Sequence, residues 1–114
     1  MILRIYAISD IHGCYDTFLY ALSCIVLSND NKLVLLGDYI YGPDSYGILD
    51  KIIVLQNTYG LDKIIALRGN HEEMVISGSW LITYIYHDDK YIEWMSDLPL
   101  FYKTENQIFL LFWN

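Results

Sequence analysis

Short apolar runs alternate with helical patterns along the first two-thirds of the chain. Arg4 to Ser9 is a β-branched and aromatic run that ends at an acid, the pattern of a buried strand. From Tyr15 to Leu27 the apolar residues Phe18, Leu19, Leu22, Ile25 and Val26 recur at helical spacing. A turn at Asn29-Asp30-Asn31 leads to a second strand, Lys32 to Leu36, which Gly37-Asp38 breaks. Pro43-Asp44-Ser45 opens a second helix, Ile48, Leu49, Ile52, Ile53 and Leu55 give it an apolar face, and Gly60 closes it. Lys63 to Leu67 is a third strand, stopped by Arg68-Gly69-Asn70. Strand and helix in strict alternation predict a parallel sheet joined by helical crossovers.

The pattern then loosens. A helix is expected to begin over Glu72 to Ile76 and another to run from Asp89 to Asp97, ended by Leu98-Pro99. Phe101 to Thr104 and Gln107 to Phe112 are strand-like on either side of Glu105-Asn106, a hairpin signature. The fold class expected is α/β, with three mainly parallel strands, flanking helices and a C-terminal hairpin.

Composition narrows the function classes. The chain has 114 residues, enough for one domain at most, and is 54% hydrophobic against 18% charged, which excludes a disordered segment. A mean hydropathy of +0.27 is high, yet no run approaches the roughly 18 consecutive apolar residues of a spanning helix. The N-terminus lacks the basic start and small-residue cleavage site of a secretory signal, so a cytoplasmic protein without membrane association is expected. Seven basic residues against fourteen acids, a net charge of -7, argue against nucleic-acid binding. Cys14 and Cys24 form no CxxC pair and are expected to be reduced thiols.

Candidate chemistry follows the three strands. Asp10-Ile11-His12-Gly13, Gly37-Asp38 and Arg68-Gly69-Asn70-His71-Glu72 each stand where a strand ends. In an open parallel sheet, ligands bind beyond the carboxyl ends of the strands. Taken singly, an Asp after a strand is a cap or turn residue and a Gly serves a turn. Together they bring carboxylate, imidazole and amide oxygen to one edge, a set that suits manganese, iron or zinc and not a thiolate site.

Asp-x-His-Gly, then Gly-Asp, then Gly-Asn-His-Glu resembles the signature of the calcineurin-like metallophosphoesterases. Asp10 to Tyr15, Gly42 to Tyr46, Leu67 to Glu73 and Ser96 to Leu100 are similar to the bacterial serine/threonine phosphoprotein phosphatase branch. The resemblance spans nearly the whole chain but about the first half of the family's domain, so a single incomplete domain over residues 1–114 is expected. It implies that Asp10 and His12 hold a first metal, that Asp38 bridges two, and that Asn70 binds the second metal and phosphate. It further implies that Arg68 contacts phosphate and that His71 is the general acid. The activity implied is phosphomonoester hydrolysis by a metal-activated water, manganese being the expected ion. Phosphoproteins are the first substrate class and small phosphoesters such as dinucleoside polyphosphates the next.

Two departures stand out. The family's second motif runs Gly-Asp-x-x-Asp-Arg-Gly, whereas Tyr41 alone fills the place of the Asp-Arg pair. The resemblance makes that Asp the orienter of the catalytic histidine and that Arg a phosphate ligand. The two later histidines of the second metal have no counterpart up to Asn114, and His87, in a Tyr-rich context, is expected to be structural. The second metal site is therefore expected to be incomplete. The alternative function is a catalytically inactive remnant that binds one metal or a protein partner. Ile108 to Trp113, an apolar run of strand formers, is expected to self-associate through its edge unless it folds back on Phe101 to Thr104.

Overall fold

A computed structural model describes residues 4–28, 30–78 and 89–111. Its elements, in chain order, are β1 (Ile5–Ile8), α1 (Tyr15–Ser23), β2 (Lys32–Leu35), α2 (Ser45–Tyr59), β3 (Ile64–Ala66), α3 (Asn70–Ile76), α4 (Asp89–Ser96), β4 (Tyr102–Lys103) and β5 (Ile108–Phe109). The expected α/β architecture is present. β1, β2 and β3 form a parallel sheet in that order, and β4 and β5 form an antiparallel hairpin. Register places Ala7 opposite Val34 and Val34 opposite Ile65. His87 lies outside the described residues, as do residues 112–114 at the end of the expected last strand. Among the described residues no helix is long and apolar enough to cross a membrane.

The alternation of a strand sorts its side chains onto two faces, and both faces of this sheet are covered. Leu33, Leu35, Ile64 and Ala66 pack against Phe18 of α1, Ile48, Leu49 and Ile52 of α2, and Met95 of α4. Val34, Ile65 and Leu67 face the other way, against Tyr102 and Phe109 of the hairpin. Leu33, Val34 and Leu35 are fully buried, the near-continuous apolar run of a strand covered on both sides. The C-terminal segment thus folds back on β4 and lays Phe109 on the sheet. Ile108 and Leu110 stay exposed, with Leu100 and Phe101 beside them.

Local signals set the helix limits. The Asp44 carboxylate caps α2 by accepting the Gly47 N–H at 3.0 Å, and Gly60, at φ 99°, ends it. Helix α1 stops at Ser23, short of the expected Leu27, with the Cys24 N–H bonded to the Ala21 carbonyl in a final tight turn. α4 is held on α2 by two side-chain bonds: the Tyr91 hydroxyl donates to Asp50 Oδ1 at 2.6 Å and the Trp94 indole N–H to Gln56 Oε1 at 3.1 Å. Both cysteines are free and exposed.

A buried tyrosine ties β2 to β3 just below their carboxyl ends. The Tyr39 hydroxyl lies 2.8 Å from the Leu35 carbonyl oxygen and 2.7 Å from that of Leu67, so its single proton is shared between them. Burial, then the negative charges of Glu72 and Asp38, push its pKa well above 10, and the phenol stays protonated. Tyr39→Phe is expected to lower stability by about 1–2 kcal/mol, read as a lower urea midpoint at unchanged slope. An unchanged midpoint would mean that the hydroxyl contributes nothing net.

Candidate functional site

Three loops leave the carboxyl ends of the parallel strands, and the first two lock together through their backbones. The His12 N–H donates to the Asp38 carbonyl and the Gly13 N–H to that of Tyr39, both at 2.8 Å, while the Asp44 N–H donates to the Gly13 carbonyl at 2.9 Å. The approach is close enough to require glycine. A Cβ on Gly69 would strike the Asp38 backbone and stand 2.7 Å from Asp38 Oδ1. Four non-glycine residues here adopt left-handed backbone: Asp10 (φ 55°), His12 (φ 48°), Asp38 (φ 57°) and Tyr41 (φ 77°). Asp and His tolerate that region better than most residues, whereas a tyrosine there is an outlier.

Glu72 is the pin of the arrangement. It is fully buried, and its two oxygens accept three backbone N–H groups, one set from each of two loops. Oε1 takes Asp38 at 2.7 Å and Gly69 at 2.9 Å, and Oε2 takes Tyr39 at 2.9 Å. The Gly69 bond is one half of a capping box at the start of α3, the half a glycine can supply. Burial raises the Glu72 pKa above the ordinary carboxylate value, against the lowering effect of the three N–H donors, and the nearby Asp38 charge adds to the rise.

On this base stand the side chains expected to carry the chemistry. Asp38, 7% exposed, accepts the His71 backbone N–H on Oδ1 at 3.0 Å, and the same oxygen lies 3.3 Å from His71 Nδ1. His12 meets the His71 ring edge-on at a centroid distance of 5.0 Å. One donor atom from each of His12, Asp38 and His71 can be chosen so that all three lie within 4.8 Å of one another. Asp10 stands outside these three, its side chain 60% exposed, with Oδ1 3.6 Å from His12 Nε2. Asn70, half-buried, opens α3 immediately before His71.

Arg68 is engaged elsewhere. Nη1 bonds Glu73 Oε2 at 3.0 Å and Nη2 donates to the Ser96 carbonyl at 2.7 Å, so both terminal nitrogens tie α3 to the end of α4. Binding a phosphate would require Arg68 to release a protein partner. Tyr41, in the place of the family's Asp-Arg pair, lies flat on His71, with centroids 5.3 Å apart and planes 5° from parallel.

Two features were not anticipated from sequence: the Glu72 pin and the Tyr41–His71 stack. An acid at the third position of a helix that opens on glycine was the available signal for the first. The second depends on a loop conformation that no local pattern announces.

The donor set fits a divalent transition metal. It offers two imidazoles and a carboxylate, and the buried His71 Nδ1 has no hydrogen-bond partner among the described residues and is turned toward a carboxylate. The calcineurin-like phosphoesterase model matches residues 3–112, and the chain belongs to that family of metal-dependent hydrolases. It is also similar to a symmetrical bis(5'-nucleosyl)-tetraphosphatase from Wigglesworthia glossinidia brevipalpis, with 36% identity over 90 residues. That match takes in 77% of this chain and 31% of the relative, so the chain spans about a third of the relative's length.

Proposed function

We propose that this chain binds a divalent ion, preferably manganese, at the carboxyl ends of β1 and β2 and the start of α3, and acts there on phosphoesters. The observation that supports the reading most is the meeting of His12, Asp38 and His71 from three separate strand ends. A divalent ion in such a site supplies charge for the phosphoryl oxygens and acidity for a bound water. Asp38 is fixed for its part by the His71 N–H, and its loop by Glu72. Asp10 and Asn70 stand beside the three as further oxygen donors in the proposal.

The activity named for the tetraphosphatase relative favours dinucleoside polyphosphates over phosphoproteins as the substrate class, reversing the order expected from motifs. Turnover is expected to be slow. His71 lacks a carboxylate other than Asp38 to orient it among the described residues, and Arg68 is committed to Glu73 and Ser96. Each deficit is worth on the order of one to three powers of ten in rate.

The same two observations favour a second reading, a metal-binding remnant without turnover. The test is hydrolysis of a bis(5'-nucleosyl) tetraphosphate, a phosphoserine peptide and an aryl phosphate by the purified chain with manganese. Slow release, greatest for the tetraphosphate and lost in Asp38→Ala, supports the enzyme. Bound metal without release of any product supports the remnant.

A further inference from the structure

We infer that His71 is a ligand of a single bound ion, completing a site with His12 and Asp38, and that this replaces the acid role the family pattern gives it. The inference rests on the metal-binding part of the proposed function and not on turnover. The first argument is separation. Two ligands on one ion with bonds of about 2.1 Å stand roughly 3.4 Å apart in a tetrahedral shell. Asp38 Oδ1 and His71 Nδ1 are already 3.3 Å apart, and one donor atom each of His12, Asp38 and His71 can be chosen so that all three lie within 4.8 Å of one another.

The second argument is the state of His71 Nδ1. It is buried and has no hydrogen-bond partner among the described residues, although Asp38 Oδ1 is close by. That oxygen is already bonded to the His71 backbone N–H at 3.0 Å. A buried nitrogen left in this way is costly unless something binds it, and a cation between nitrogen and carboxylate would satisfy both.

The third argument is preorganisation. Tyr41 packs parallel to the imidazole plane and His12 meets it edge-on, so the ring is clamped on two sides with Nδ1 facing Asp38. Among the described residues Asp38 is the carboxylate that faces His71 Nδ1. An imidazole bound to metal through Nδ1 is a poor proton donor at its other nitrogen. With Nδ1 on the ion, His71 serves the site as a ligand and not as the proton donor.

The test is zinc titration of the whole chain, by calorimetry and by nitrogen-15 NMR of the histidine side chains. The expected result is one ion per chain, a ligation shift at His71 Nδ1, and affinity at least about tenfold weaker in His71→Asn. Zinc binding that leaves the His71 nitrogens unshifted, or His71→Asn binding as tightly as the wild type, overturns the inference while the metal-binding reading stands. No zinc binding by the wild type overturns both. A shift at Nδ1 in a chain that hydrolyses nothing upholds the inference and removes the enzymatic reading. If His71→Asn fails to fold, the wild-type NMR decides alone.

Discussion

Glu72→Ala is expected to destabilise the chain by about 3–5 kcal/mol. Its removal strands three N–H groups, those of Asp38, Tyr39 and Gly69, in a place its own burial shows to be closed to solvent. Each unsatisfied buried donor costs about 1–3 kcal/mol, offset in part because a desolvated carboxylate is also removed. Domains commonly have about 5–15 kcal/mol in total, so the loss removes a large share of the stability. Urea unfolding of wild type and variant checks this; equal midpoints would show that the three N–H groups find other partners.

Glu72 also gives the stability a pH dependence of known sign. Its folded pKa lies above its unfolded value, so its contribution is complete below the ordinary carboxylate range and is lost as pH rises through the raised value. Glu72→Gln cannot titrate. The stability advantage of wild type over Glu72→Gln should therefore shrink as pH rises through that window.

Asp38→Asn is expected to abolish metal binding while leaving the metal-free fold as stable as the wild type or slightly more so. Asparagine adopts left-handed backbone easily, and its oxygen can still accept the His71 N–H. What disappears is the negative charge at the centre of the donor set, together with its repulsion of Glu72. At a metal concentration about a hundred times Kd, an ion that binds only the folded state adds about 2.7 kcal/mol. The wild type should show that gain in thermal unfolding with manganese or zinc and Asp38→Asn should not. A variant that kept the metal-dependent gain would place the ion away from Asp38.

The order of strands and helices was legible because a parallel sheet covered on both faces demands apolar runs such as Leu33 to Leu35, separated by helical periods. Element ends were less so: α1 stops at Ser23 and α3 begins at Asn70, since these limits depend on local bonds. That Asp10, His12, Asp38, Asn70 and His71 share one edge could be inferred, because every strand of such a sheet delivers its last residues there, but Asp10 stands apart from the His12, Asp38 and His71 cluster. What could not be inferred was how each side chain is used. Arg68 is expected on phosphate, and without a ligand its reach lets it bond Glu73 and the Ser96 carbonyl, a use that no local pattern announces. Glu72 was passed over because a buried acid betrays itself only through its partners, which lie 33 and 34 positions earlier at Tyr39 and Asp38.

The two rings that flank His71 both stand on backbone that resists them, His12 at φ 48° and Tyr41 at φ 77°. Such conformations cost on the order of 1–3 kcal/mol each, and a glycine at either position would relieve that cost. The most accessible gains in robustness thus lie at the positions that grip the imidazole. Substitutions that relieve this backbone would therefore strengthen the fold and loosen the hold on the imidazole at the same two positions.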